Sequence, residues 1–89
     1  MSTQNFINTE VKYIDQHIGQ RIAHLRKLRK LSQTTLGKMC GVGMQQMSKY
    51  EKGKSRITAG RLWLIALALN ADLDSFYDDL CAITAPDMG

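Results

Sequence analysis

Apolar side chains recur every three or four residues along the first third of the chain, which is the spacing of one face of an α-helix. The stripe is formed by Ile18, Ile22, Leu25 and Leu28. It predicts a first helix that starts at Asp15, or further upstream with Asn8 or Thr9 as its cap. Both starts remain open, because Val11 and Ile14 continue the stripe.

Two short helices are predicted next, joined by a tight turn. Ser32 is a good N-cap for a second helix over residues 33–40. Gly41 follows that helix, at the position where a left-handed backbone commonly ends a helix. Gly43 then caps a third helix over residues 44–52, which points Met47 and Tyr50 inward and leaves its polar side chains outside.

Two further helices complete the prediction. Thr58 caps a fourth helix, and Asp72 caps a short fifth helix that carries Leu73 and Phe76. The inward stripe of the fourth helix is Leu62, Ile65, Ala66 and Leu69. The chain has too few β-branched and aromatic alternations for a β-sandwich, so the predicted fold class is all-α with five helices.

The 89 residues have room for one small domain. We expect an N-terminal extension over residues 1–14, a domain over residues 15–77 and a C-terminal tail over residues 78–89. If the first helix has the earlier start, the extension is helical. No signal peptide is visible in the first ten residues, and the longest apolar stretch, of eight residues, is too short to span a membrane. These features predict a cytoplasmic protein.

Charge is divided unevenly along the chain, although its total is only +4. Residues 1–17 carry −1 and residues 62–89 carry −5, whereas residues 18–61 hold eleven basic side chains against Glu51 alone. A solvated face normally mixes both signs, so a basic middle between acidic ends favours a polyanionic partner. Nucleic acid is the preferred partner, with a basic surface that has no partner as the alternative.

Metal and redox chemistry are not indicated. Cys40 and Cys81 are the only cysteines, and both are interpreted as structural. His17 and His24 lie seven residues apart, but no ligand spacing typical of a zinc site accompanies them. No cofactor is predicted, and no nucleophile with a partnered base suggests an enzyme.

Two short helices joined through a glycine, the second with an outward row of Gln, Gln, Ser and Lys, are the pattern that predicts a helix-turn-helix. Residues 18–76 resemble the Cro/repressor-type helix-turn-helix family, also called the XRE family. The matching signatures are Arg21, Ile22, Arg26, Leu31, Ser32, Gln33, Leu36, Gly41, Val42, Tyr50, Glu51, Gly53, Leu62, Ile65, Ala66 and Leu69.

The resemblance implies a five-helix domain that binds specific duplex DNA, usually as a homodimer. It implies a bacterial, plasmid or phage regulator, and a repressor is the preferred role. The residues expected at the DNA are Gln33, Gly43, Met44, Gln45, Gln46, Ser48, Lys49, Lys52, Lys54 and Arg56. Gln45 and Lys49 are favoured over Gln46 and Ser48, which are expected further round the helix. Gln33 is expected either to reach a phosphate or to brace the third helix.

The resemblance also implies an ion pair between Arg26 and Glu51, which would keep the lone acid of the third helix away from phosphates. The fourth helix is apolar nearly all round, which leaves Trp63 and Leu67 outside its inward stripe. We expect a dimer face there, together with Tyr77, and the alternative is a patch covered by the N-terminal extension. A second possible function is an antitoxin that binds both a toxin and its own operon.

Overall fold

Helix α1 (Thr3–Leu28) is the longest element of the protein and begins upstream of both predicted starts. The computed structural model describes the backbone of residues 3–78 and 80, with side chains from residue 10 onward apart from residue 79. Within that part α1 is continuous, so the predicted caps Asn8 and Thr9 lie inside the helix, which corrects the expected start. The division between residues 14 and 15 coincides with no break in the helix, and it stays a prediction.

The other elements are α2 (Gln33–Cys40), α3 (Met44–Glu51), α4 (Ala59–Leu69) and a 3-10 turn over Leu73–Phe76. The described residues form helices joined by turns and loops and contain no strand, which confirms the all-α class. The count of five α-helices is not confirmed. The predicted fifth helix is the 3-10 turn, closed by bonds three residues apart, and the side chain of Asp72 makes no capping bond there.

Local capping chemistry sets both ends of α2 and the start of α4 where the sequence predicts them. The Ser32 hydroxyl accepts a hydrogen bond from the backbone N–H of Thr35, and the Thr58 hydroxyl accepts one from that of Arg61. Gly41 ends α2 with a φ of +77°, a conformation in which glycine has no steric cost. Of these features, Gly41 lies in the turn between α2 and α3, so its left-handed conformation sets the direction in which α3 leaves α2.

The inward faces of the four helices meet in one core. The side chains below 2% exposure are Phe76, Ile22, Leu36, Met47, Ile65, Leu69 and Cys40. Burying each of the larger ones contributes about 1.5 to 3 kcal/mol relative to exposure. Because α2 and α3 each bury only one side, the opposite face of α3 is left to solvent. None of the helices in the described part of the chain is both long and apolar enough to cross a membrane.

Candidate nucleic-acid interface

The outward face of α3 forms one wall of a shallow surface groove, called here the reading groove. Positions three and four residues apart share one face of a helix, and this spacing aligns Gln45 with Lys49 and Lys52. Met44 and Ser48 lie beside them on the same face. The reading groove is lined by Gln33, Met44, Gln45, Ser48, Lys49, Lys52 and Lys54.

Three of the predicted contact residues lie outside the reading groove. Gln46 is half-buried on the flank of α3, because one residue turns a helix by about 100°. Gly43 is exposed at the N-cap of α3, and Arg56 lies in the loop that follows the helix. Ser48, which the sequence grouped with Gln46, lies on the same face as Gln45 instead. DNA contact by each of these residues stays a prediction.

The groove presents a set of groups suited to the edges of nucleotide bases. A glutamine amide offers a donor and an acceptor side by side, a serine hydroxyl offers either, and a lysine ammonium reaches guanine or a phosphate. Met44 is 51% exposed at the start of α3 and supplies an apolar contact of the kind that a thymine methyl group makes. The lining contains no carboxylate, so nothing in the groove repels phosphate.

The only acid of α3 is turned away from the groove and is held by three donors. The Arg26 Nε and Nη2 atoms lie 2.6 and 3.0 Å from the two carboxylate oxygens of Glu51. The Gln33 Nε2 atom donates to Glu51 Oε1 at 2.9 Å. A third Arg26 nitrogen donates to the backbone carbonyl of Leu31 at 2.8 Å. This bidentate pair joins α1 to the C-terminal end of α3, and Gln33 adds α2 to the same network.

Glycines allow α1 and the end of α3 to approach unusually closely. A Cβ atom at Gly19 would lie 2.3 Å from the Tyr50 carbonyl oxygen and 2.7 Å from that of Glu51. Gly53, with a φ of +71°, lies against the backbone of Gln16. Gly19 is not among the residues predicted from the sequence to matter for the site. The available signal was a glycine inside a helical stripe, which is unfavourable unless another backbone packs there.

Four of the five arginines form hydrogen bonds between distant segments of the fold and do not line the reading groove. In addition to Arg26, the Arg21 Nε atom donates to the Ser75 carbonyl at 3.0 Å, and the Arg29 Nε atom donates to the Leu69 carbonyl at 2.8 Å. The Arg61 guanidinium donates to the Cys40 carbonyl at the end of α2. Arginine suits the carbonyls at helix C-termini because it brings both donors and positive charge. The basic middle of the chain therefore contains two kinds of cation, those bonded within the fold and those exposed at the reading groove. Net charge alone does not distinguish them.

Neither cysteine chemistry nor a metal site is supported around α2. Burial raises the pKa of the Cys40 thiol, and the nearby Arg61 charge offsets part of this effect. The thiol is therefore neutral near pH 7 and packs as a small apolar group. Cys81 lies outside the described residues. Within the described part of the chain, no three acidic, histidine or cysteine side chains cluster in a way that could hold a metal ion.

A second surface lies on α4, away from the reading groove. Trp63 is 55% and Leu67 is 62% exposed, so the described part of the chain does not cover them. Both line a shallow depression with Ala66, Asn70, Ala71, Asp72 and Leu73. Tyr77 is 43% exposed but is not part of that lining.

Comparison with known proteins identifies the family. The helix-turn-helix family model matches residues 22–76, which include α2, the turn, α3 and α4. The chain belongs to the helix-turn-helix family. An uncharacterized HTH-type transcriptional regulator of Sinorhizobium fredii is 48% identical over 66 residues, which cover 74% of this chain and 46% of the relative. An uncharacterized transcriptional regulator of Rhodospirillum rubrum is 44% identical over 70 residues, which cover 79% of this chain and 65% of the relative.

A solved structure of a helix-turn-helix family member supports the same assignment. A transcriptional regulator of the HTH_3 family from Vibrio cholerae superposes with a TM-score of 0.72 at 27% sequence identity. The match covers 82% of this chain and 41% of the other. The chain therefore spans roughly half of the length of these helix-turn-helix relatives, between 41% and 65%.

Proposed function

We propose that this helix-turn-helix protein is a transcriptional regulator that binds specific sequences of duplex DNA and reads the major groove with α3. The observation that supports this most directly is the reading groove, which gathers amide, hydroxyl and ammonium groups on one side of α3 while Glu51 is turned inward. An α-helix fits the major groove of B-DNA, where each base pair shows a distinct pattern of donors and acceptors.

The proposed mechanism is occupancy of an operator by a repressor in a bacterial cytoplasm. Bound protein excludes polymerase from the site, and no covalent step is involved. The names of the similar proteins refer to transcriptional regulation. They give no support to the alternative of an antitoxin.

The experiment that tests this function compares two variants across a salt series. Gln45 lies near the start of α3, the end of the helix that would enter the major groove of the DNA most deeply. Gln45→Ala is therefore expected to weaken binding to the preferred operator by about 1 to 3 kcal/mol and to leave binding to random DNA unchanged. Lys54→Ala removes an exposed charge in the following loop. It is expected to weaken binding to all sequences and to lower the salt slope by about one unit per site.

The operator would first be selected from a random duplex library, and binding would be measured on operator and scrambled duplexes. If a dimer neutralises six phosphates, log K for the wild type is expected to fall with a slope of about −5 against log salt. Absence of binding at low salt would contradict DNA recognition. A uniform loss for Gln45→Ala, with selectivity intact, would show that α3 is not the reading helix.

We also propose that the protein binds as a homodimer through the α4 surface around Trp63 and Leu67, with Tyr77 at its edge. These exposed apolar side chains are the kind that become the buried centre of an interface. A two-fold dimer would place its two α3 helices on half-sites about 34 Å apart.

Trp63→Glu is therefore expected to shift the protein towards monomer and to weaken full-site binding more than half-site binding. Met39→Glu is the matched control, because Met39 is similarly exposed at 52% but lies on α2. Sedimentation at high micromolar concentration measures the change. A wild-type monomer under these conditions, or an equal effect of Met39→Glu, would contradict the proposed interface.

A further inference from the structure

The N-terminal half of α1 lies beside the loop that follows α3, although the family model begins only at residue 22. A Cβ atom at Gly53 would lie 2.7 Å from the Gln16 Cγ atom and 2.8 Å from its Cα atom. The loop therefore packs directly on α1 at this point. One turn towards the N-terminus, α1 carries the exposed Lys12.

This packing creates a second depression in the surface, called here the α1–loop depression. It is lined by Val11, Lys12, Asp15, Gly53, Lys54, Ser55 and Arg56. Three of these side chains are cationic and one is acidic, so the lining carries a net positive charge. Lys54 also lines the reading groove, which makes the two surfaces neighbours that share one residue.

We propose that the α1–loop depression is a second contact with the sugar-phosphate backbone, in which Lys12 joins Lys54 and Arg56 on the DNA. The proposal rests on the proposed function and extends its binding surface beyond the segment that the family model matches. Each strand of a duplex carries one phosphate per about 3.4 Å of helix axis, so a strand that runs from the reading groove past Lys54 into the adjoining depression would bring further phosphates to Lys12 and Arg56. Lysine suits this role because its ammonium is a flexible point charge that needs no fixed base geometry.

Asp15 makes the proposal testable in both directions. Its half-buried carboxylate is the one lining group that opposes a phosphate. Removing the Lys12 charge and removing the Asp15 charge should therefore change DNA affinity in opposite senses. A role in general solubility or in folding would not produce this sign reversal.

The test measures binding of the full chain to operator and scrambled duplexes from 0.05 to about 0.3 M salt. Lys12→Gln is expected to lower affinity for both duplexes by about five- to ten-fold at 0.1 M salt and to reduce the slope by about one unit per site. Asp15→Asn is expected to raise affinity by about two- to five-fold. Lys12→Arg keeps the charge and is expected to bind as the wild type does.

Lys38→Gln is the matched control, because Lys38 is exposed on α2 and lines neither the reading groove nor the α1–loop depression. Equal losses of DNA affinity for Lys38→Gln and Lys12→Gln would show that only the net charge of the protein matters and would overturn the proposal. If the slope of log K against log salt is the same for Lys12→Gln as for a wild type that binds DNA, the proposed contact at Lys12 is wrong and the proposed function stands. A wild type that does not bind duplex DNA would overturn the proposed function as well. If Lys12→Gln changes self-association and leaves DNA affinity unchanged, the α1–loop depression contacts a protein partner and the proposal is overturned.

Discussion

Glu51→Ala is expected to lower the melting temperature by more than about 10 °C and to weaken binding to every DNA sequence together. Only 6% of the Glu51 side chain and 11% of the Arg26 side chain are exposed. Removing one partner of a buried pair costs about 3 to 5 kcal/mol, because the remaining charge is left without compensation. In a domain of this size each kcal/mol corresponds to about 4 to 8 °C. The Gln33 amide would lose the same acceptor, so α2 would be loosened as well.

The control for this substitution is Asp74→Ala, which removes the same charge at an exposed position. It is expected to change the melting temperature by only a few tenths of a degree to a few degrees, as exposed charges usually do. The double variant Arg26→Met with Glu51→Leu is expected to recover most of the lost stability, since a buried pair can be replaced by apolar side chains. An unchanged melting temperature for Glu51→Ala, combined with altered base preference, would show that Glu51 reads DNA instead of holding α3.

Gly19→Ala is the second substitution with a large expected effect. Inside a helix, alanine is normally more stable than glycine by about 1 kcal/mol. At this position the added methyl group would lie 2.3 Å from the Tyr50 carbonyl oxygen, so α1 and α3 must separate. We expect a net destabilisation of about 1 to 3 kcal/mol, measured by denaturant unfolding. DNA affinity should fall at the same time, because the end of α3 changes its position.

Gly60→Ala provides the matched control within α4. A Cβ atom there meets nothing within 4 Å, so the substitution is expected to be neutral or to stabilise by up to about 1 kcal/mol. Gly19→Ala should therefore lower the free energy of unfolding, whereas Gly60→Ala should not. A Gly19→Ala variant as stable as the wild type would contradict the close approach of α1 and α3.

The sequence predicts those parts of the fold that depend on neighbours within one helical turn. The Ser32 and Thr58 caps, the left-handed Gly41 and the inward stripe of α4 all follow from spacings of three or four residues, and the structure confirms them. The pairing of Arg26 with Glu51 has a different origin. These residues lie 25 positions apart, and only the family resemblance placed them together.

Other features needed the packed structure. The length of α1 was underestimated because Asn8 and Thr9, which favour the start of a helix, lie inside this one. The short fifth helix became a 3-10 turn, because four residues around the buried Phe76 are shaped by their contacts with the core more than by propensity. Ser48 lines the reading groove and Gln46 does not. The rotation of α3 about its axis, which depends on which of its side chains pack in the core, decides this.

The all-α class, the order of α1 to α4, the caps Ser32, Gly41 and Thr58, and the basic character of the central segment all follow from the sequence alone. The tertiary structure decided which cations are free for a partner, because Arg21, Arg29 and Arg61 bind carbonyls that are 54, 40 and 21 residues away in the chain. It also decided that α3 rests on Gly19 and that the loop after α3 lies beside Lys12. The physical reason is that capping and helical periodicity act over one turn of chain, whereas these contacts join segments that meet only once the core has formed.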